Sequence, residues 1–245
     1  LILAAGRPVV YAGGGVILSN ASAELQELAR LLSLPVTTTL MGMGCFPGSD
    51  PLCLGMLGMH GTYAANMAIT HADVILAVGA RFDDRVTGKV DEFAPLAKII
   101  HVDIDPTSIQ KNVRVDIPIV GDLKNVLRKM IKAAKARKET VPYRDRTSGW
   151  VKQLDIWAKS HPLTYKPSTG KIKPQYVVEQ IYKLTKGNAI ITTEVGQNQM
   201  WAAQFYIYDH PRTFLSSGGL GTMGYGLPAA IGAQVAMPGR LVVDI

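Results

Sequence analysis

Cysteine is nearly missing: Cys45 and Cys53 are the whole supply, and no CxxC pair occurs in the 245 residues. That excludes a disulfide framework and fits a reducing compartment. Long apolar runs are missing too. No stretch approaches the roughly 18 consecutive apolar residues of a membrane helix, so no membrane partner is expected. The opening Leu1–Ala5 is too short for the core of a signal peptide and lacks a basic start. There is no initial Met, and we expect an excised or processed piece of a longer chain. Aromatic residues are sparse where a nucleic-acid site would need them. Lys124 to Arg146 carries nine basic and two acidic residues, which accounts for the whole net charge of +7, yet its only aromatic is Tyr143. It reads as a solvated helix face plus a basic linker, and no nucleic-acid partner is expected.

What is present is a core and a recurring pattern. Hydrophobic residues make up 47%, enough for one large domain or two smaller ones. The chain alternates continuous apolar runs with helical stripes, the mark of a parallel α/β sheet. Strands are expected at 7–12, 35–39, 74–78, 98–103 and 117–120. Helices are expected at 22–32, capped by Asn20 or Ser22, at 63–71, capped by Thr62, and from Gly121-Asp122 to about 138. The stretch from Cys45 to Met59, with Pro47, Gly48, Pro51, Gly55 and Gly58, reads as loop. Residues 139–173 break the composition. Two stretches rich in Pro, Lys and Arg flank a short helix, Ser148 to Lys159, and an interdomain crossing is expected there. A second α/β unit starts at Pro174, with helices near 176–184, 199–208 and 227–237 and strands at 189–193 and 240–245. The chain stops in the last strand, and we expect this second domain to be incomplete.

Candidate chemistry lies where strands end. In an open α/β sheet, ligands bind just past the carboxyl ends of the strands. The run Val74–Val78 is followed by Gly79 and then Ala80-Arg81-Phe82-Asp83-Asp84-Arg85. Gly79 lets a ligand approach the backbone, and Arg81 and Arg85 offer paired donors to phosphate or carboxylate. A solvated turn with surface ion pairs explains the same residues equally well. Gly13-Gly14-Gly15 is either a phosphate-binding turn or a tight strand-to-helix turn. Asp103 is either a ribose acceptor or part of a helix cap, and His60 either a ligand contact or a packed side chain. Ser216–Gly226, with five glycines, is either a connector or a backbone cradle for a diphosphate.

Five segments together carry a resemblance: Thr37–Gly44, Leu57–Gly61, Gly79–Lys89, Val195–Tyr206 and Ser217–Gly232. The chain resembles the thiamine diphosphate-dependent enzymes, and within them the acetolactate synthase (acetohydroxyacid synthase) large subunits. The last segment marks the broad cofactor class, and the first three point to the acetolactate synthase branch. The resemblance implies a doubly wound, Rossmann-like central domain at 1–138 that binds FAD, an interdomain linker at 139–173, and the first part of the thiamine diphosphate-binding domain at 174–245. It implies FAD contacts at Gly14, Thr39, Leu40, Leu57, Gly58, Met59, His60, Gly79, Ala80, Arg81, Phe82, Asp83, Asp84, Arg85, Asp103, Ile104, Asp122 and Leu123. It implies thiamine diphosphate contacts at Gln197, Asn198, Gly221, Thr222 and Met223. Asn198 stands where many members carry His.

The resemblance further implies that Arg85 favours the carboxylate of a second 2-ketoacid and that Met59 lines the same access channel. The implied reaction decarboxylates pyruvate and joins the remaining unit to a second 2-ketoacid, giving 2-acetolactate or 2-aceto-2-hydroxybutyrate for branched-chain amino acid biosynthesis. The FAD is implied to be structural. No catalytic residue is expected within this stretch. The family's catalytic Glu belongs to another domain, its Mg motif is expected beyond Ile245, and Glu194 is assigned no catalytic part. This stretch alone is therefore expected to be inactive. A homodimer or homotetramer and a regulatory small subunit are the implied partners. The implied location is the cytoplasm for a bacterial or archaeal source and an organelle for a eukaryotic one. Rival readings are another thiamine diphosphate-dependent carboligase or oxidase, a non-catalytic flavin-binding module, and a structural fragment that binds nothing.

Overall fold

The computed structural model describes residues 1–137 and 140–245, together with the side chains outside 138–142. The expected limit between 138 and 139 lies outside the described residues. Within them the chain forms two all-parallel sheets.

The first sheet has six strands: β1 (Pro8–Ala12), β2 (Val36–Thr38), β3 (Cys53–Met56), β4 (Val74–Val78), β5 (Lys98–Asp103) and β6 (Ile117–Val120). Their order is β3-β2-β1-β4-β5-β6. Chain direction across the sheet reverses between β1 and β4, which is the switch point of a doubly wound fold. β1 and β4 are buried along their whole length, as their unbroken apolar runs require. Successive residues divide between the two faces. Val10, Ala12, Leu76, Val78, Ile100 and Val102 join one core with helices α2 (Ser22–Leu32) and α5 (Leu123–Lys135). Val9, Tyr11, Ile75, Ala77 and Ile99 join the opposite core with α3 (Tyr63–His71).

The basic run behaves as a solvated face. Along α5, Leu123, Leu127, Ile131 and Ala134 are buried on one side. On the other side Arg128 and Lys124 reach Glu24 of α2 at 3.0 and 3.9 Å, and Lys135 reaches Glu27 at 2.6 Å. Such pairs stabilise by a few tenths to about 1 kcal/mol each when exposed.

Three local expectations are corrected. The stretch from Cys45 to Met59 contains a strand, β3, so the sheet has six strands where five were expected. Gly55 inside β3 has φ +82°, the register with β2 shifts there, and the strand is only half-buried. A glycine bulge on an edge strand dilutes the apolar pattern by which strands are recognised. Helix α2 is capped by neither Asn20 nor Ser22. Its N-cap is Ala21, which makes no side-chain cap, while Asn20 takes a left-handed φ of 52°. The short helix expected at 148–159 is the longer helix α6 (Thr140–Ser160). Proline is tolerated in a first helical turn, so Pro142 does not delay its start. Tyr143, Trp150 and Leu154 of α6 are buried. Trp150 donates its indole N–H to the Pro8 carbonyl at 3.1 Å and stacks edge-on with Trp157 at 5.9 Å. Helix α6 therefore covers the first sheet's helical layer beside α3.

The second sheet has the order β8-β7-β9, from β7 (Ile190–Thr192), β8 (Phe214–Leu215) and β9 (Val242–Asp244). Helices α7 (Pro174–Thr185), α8 (Gln197–Phe205) and α9 (Gly226–Ala236) accompany it. Among the described residues, no helix is long and apolar enough to cross a membrane.

Candidate functional site

Parallel strands place all their following loops on one edge. After β1 comes Gly13, which opens the short helix α1 (Gly14–Leu18). Gly13 donates to the Val78 carbonyl at 2.9 Å, and Gly15 donates to the Gly79 carbonyl at 3.1 Å. A Cβ on Gly13 would run into the Gly79 carbonyl, and one on Gly15 would lie 2.7 Å from the Gly79 Cα. These glycines let two backbones touch at the switch point, which is the tight-turn reading. Gly14 alone of the three faces the next loop, toward Met41.

After β2, Thr39 caps a 3₁₀ turn, Leu40–Gly42, by accepting from the Gly42 N–H at 2.9 Å. After β3, Leu57 and Gly58 are buried, while Met59 and His60 are exposed. Gly58 has φ +104°, and its carbonyl and N–H are both held by the Asn66 side chain, at 3.1 and 3.2 Å. The Met59 N–H donates to the Arg85 carbonyl at 3.0 Å. The loops after β3 and β4 are thus pinned together, although two strands separate them in the sheet.

After β4, Gly79 (φ +58°) turns the chain, and Ala80 and Phe82 are buried. Phe82 also has a positive φ of 53°, a costly conformation outside glycine. Its ring is fixed by Tyr11, Phe93 and His101 at centroid distances of 5.5, 5.8 and 5.2 Å. Asn112 donates to the Phe82 and Arg81 carbonyls at 2.8 and 3.3 Å. This backbone is therefore held rigid from below while Arg81, Asp83, Asp84 and Arg85 project outward, exposed. Asp83 caps helix α4 (Asp84–Thr87), accepting from the Arg85 N–H at 3.2 Å. Its carboxyl sits below the usual carboxylate range, first through a hydrogen bond with the Asp84 side chain and then through the Arg85 N–H.

After β5, Asp103 is buried and accepts from the Asp105 N–H at 2.9 Å, while Ile104 is exposed. The cap role belongs to Asp105, which accepts from the Thr107 N–H at the 3₁₀ turn Pro106–Ser108. After β6, Asp122 caps α5 through the Asn125 N–H at 2.9 Å, and Leu123 is buried against Gly79. Every residue expected to contact a flavin thus falls on the carboxyl edge of one sheet, in six successive loops.

The second unit faces that edge. Leu40, Met43 and Met56 pack into its core with Ala202, Tyr206 and Tyr208. Gln204 of α8 donates to the His60 carbonyl at 2.9 Å. Arg212 donates to the Ile17 carbonyl at 3.0 Å and to the Asn20 side chain at 2.9 Å. Met41 lies between the two units: a Cβ on Gly14 would meet its Cβ at 3.3 Å, and one on Gly218 would meet its sulfur at 2.8 Å.

Here, too, the chosen residues sit past strand ends. Gln197 and Asn198 open α8, whose N-cap Gly196 provides no side-chain cap. The Asn198 side chain donates to the Ile245 carbonyl at 2.8 Å. The Ser216 hydroxyl is a buried hub, 3.0 Å from Thr193 Oγ1, 2.6 Å from Gln199 Nε2 and 3.2 Å from the Gly218 N–H. The loop it begins passes left-handed glycines at 218, 221 and 224 and exposes Thr222 and Met223. Glu194 accepts from the N–H groups of Gly224, Gly226 and Leu227, and those bonds, Gly224's first, hold its carboxyl below the ordinary range.

Sequence reasoning missed Asn66, which braces Gly58 eight residues back, and Asn112, which braces backbone about 30 residues back. It also missed His101, buried at 1% exposure with Nε2 on the Ala80 carbonyl at 2.8 Å.

Residues 1–130 match the family model described as thiamine pyrophosphate enzyme, central domain, and residues 194–245 match thiamine pyrophosphate enzyme, C-terminal TPP binding domain. Among similar proteins are the acetolactate synthase large subunit of Buchnera aphidicola subsp. Acyrthosiphon pisum, 51% identical over 244 residues, and the acetolactate synthase isozyme 3 large subunit of Escherichia coli, 49% identical over 244 residues. Each match covers 100% of this chain and 42% of the relative. Acetolactate synthase 1, chloroplastic, of Zea mays is 52% identical over 241 residues, covering 98% of this chain and 37% of the relative. The chain therefore spans about two fifths of the length of these relatives.

Proposed function

Because the chain belongs to the thiamine pyrophosphate enzymes, we propose that it is the flavin-binding centre and the start of the thiamine-binding part of an acetolactate synthase large subunit. Residues 1–138 would form the first part, 174–245 the second, and 139–173 the passage between them. The reaction would join pyruvate, after loss of carbon dioxide, to a second 2-ketoacid, giving 2-acetolactate or 2-aceto-2-hydroxybutyrate. The tie between the Met59 N–H and the Arg85 carbonyl carries this reading. It brings the two residues expected to meet substrate to one point, on the edge that faces the second unit.

The donor set fits a dinucleotide. The exposed guanidinium of Arg81 suits a diphosphate, and Gly14, Gly79 and the Thr39–Leu40 turn allow close backbone approach. Asp103 and Asp122 keep oxygens for hydroxyl groups, and the exposed Ile104 offers apolar surface. FAD would be held there as a structural group. In the second unit, Gln197, Asn198 and the backbone from Gly221 to Met223 fit a diphosphate, with Met223 against the rings. Thiamine diphosphate, when bound, supplies the electron sink that decarboxylation needs. Mg²⁺ would offset the negative charge of that diphosphate. The chain's own contributions are orientation and selection: Arg85 receives the carboxylate of the second ketoacid by charge-assisted bonds, and Met59 walls the channel with a pliable apolar surface.

The large-subunit names of the relatives support a regulatory small subunit as partner, beside a homodimer or homotetramer. The chloroplastic relative supports an organellar site if the source is a plant. The complete enzyme carrying this sequence, given thiamine diphosphate, Mg²⁺ and FAD, should form acetolactate from pyruvate and the mixed product when 2-ketobutyrate is added. Failure to turn over pyruvate, or preference for glyoxylate, overturns the reading. The 245-residue chain alone should be inactive, and acetolactate formed by it would overturn that part.

A further inference from the structure

We infer that Glu194 is the positioning residue that shapes the thiamine diphosphate cradle, an inference that rests on the proposed reading of Gly218–Gly226 as that cradle. Glu194 follows β7 and uses both carboxylate oxygens on one loop. Oε2 accepts from the Gly224 N–H at 2.8 Å, and Oε1 accepts from Gly226 at 2.7 Å and Leu227 at 3.3 Å. Free N–H groups at a helix N-terminus attract anions. Here a carboxylate of the chain itself already occupies those of α9, so they are not free for a diphosphate. The diphosphate's place is thereby shifted off α9 to the opening of α8 and the loop between.

Glu194 also sets that loop's path. Gly226 is pressed so closely on the β7 end that a Cβ would lie 2.8 Å from the Glu194 nitrogen and 2.9 Å from the Thr193 carbonyl carbon. At the loop's other end Ser217 accepts from the Thr222 N–H at 3.0 Å. Between the two anchors the chain passes Gly221 at φ +62° and Gly224 at φ +80°, which only glycine adopts readily. The backbone on either side of Met223 is thus held, and its side chain stands outward at 85% exposure. Exposed loops usually wander; this one is tethered across 30 residues of sequence by a single carboxylate.

The test is a Glu194→Gln variant of the complete enzyme, in which an amide NH₂ faces a backbone N–H where an oxygen stood. Thiamine diphosphate affinity is measured by calorimetry with Mg²⁺ present, alongside bound FAD and thermal unfolding. We expect the dissociation constant to rise about tenfold or more, the size of one lost charge-assisted bond, with FAD content and thermal unfolding little changed. An unchanged dissociation constant overturns the role. So does a fall in FAD content and unfolding temperature in step with affinity, since Glu194 would then hold the fold rather than the cradle. Should the Gln variant not fold, Glu194→Asp takes its place. It keeps the charge but is a methylene short of spanning Gly224 and Gly226, and the same expectation and the same overturning results apply. If the wild-type enzyme binds no thiamine diphosphate, the reading of the loop fails, and the role of Glu194 with it.

Discussion

Arg85 and Arg81 lie four residues apart on one loop, and the proposed function gives them different work. Only the Arg85 backbone is tied to Met59, on the side toward the second unit. In the complete enzyme Arg85→Ala should therefore weaken selection of the second ketoacid while FAD remains bound, as read from product ratios in mixed-substrate assays and from flavin absorbance. Lost FAD with unchanged ratios would mean that the roles of the two arginines are reversed. His101 gives a stability signature. Burial is the largest cause of its lowered pKa, opposed by the Ala80 carbonyl and by Asp103. Between that lowered value and the ordinary 6.5, the unfolded chain takes up a proton that the folded chain refuses. Stability is therefore full above 6.5 and falls as pH drops through this window. Urea unfolding at several pH values should show that slope in the wild type and a shallower one in His101→Asn. Glycines separate in the same way. Gly13→Ala drives a methyl into the Gly79 backbone and should cost about 3 kcal/mol, whereas Gly219→Ala meets nothing within 4 Å and should be near neutral, by denaturant midpoints.

At the scale of elements, helix α6 makes the clearest prediction. Trp150→Ala removes a buried indole and its bond to the Pro8 carbonyl, and should destabilise the first unit by about 3–5 kcal/mol in thermal or urea unfolding. Replacing the exposed Ile156 should cost little. The same helix shows what the sequence concealed. Its flanks of Lys, Arg and Pro read as linker, although Tyr143, Trp150 and Leu154 recur at seven and four positions, a helical stripe. β1 and β4 were legible because strands covered on both faces are apolar throughout, and β5 because Ile99, Ile100 and Val102 carry most of its run. β3 was not, because an edge strand with a glycine bulge needs neither continuity nor alternation. The Thr62 cap was legible because its partner, the Ala65 N–H, is three residues away. The α2 cap was misread because Asn20 is engaged by Arg212, far along the chain. The site divides by the same rule: Gly79, Arg81 and Asp103 sit at strand ends that periodicity reveals, whereas Asn112 braces a loop about 30 residues away that only tertiary structure brings to it.

For the molecule as a whole, the second unit is the less finished surface. Helix α9 is apolar on nearly every side, and Leu227, Ile231 and Val235 are exposed at 58% or more. A helix hydrophobic all round is one that a larger assembly buries. The 245-residue chain by itself should therefore self-associate, as seen by light scattering at micromolar concentration, and Ile231→Glu should reduce that association.

The order of the first sheet bears on how the chain reaches this state. β1 leaves a ribosome before the other strands of its sheet, yet it lies inside the sheet and is buried at all five residues. One neighbour, β2, follows soon, but the other begins only at Val74. Until then Pro8–Ala12 holds an unpaired edge and two apolar faces in a nascent chain. Pairings of such long sequence separation close slowly, and waiting strands of this kind are where aggregation starts. Synthesis of this protein should accordingly depend on chaperones that shield the chain until β4 has emerged.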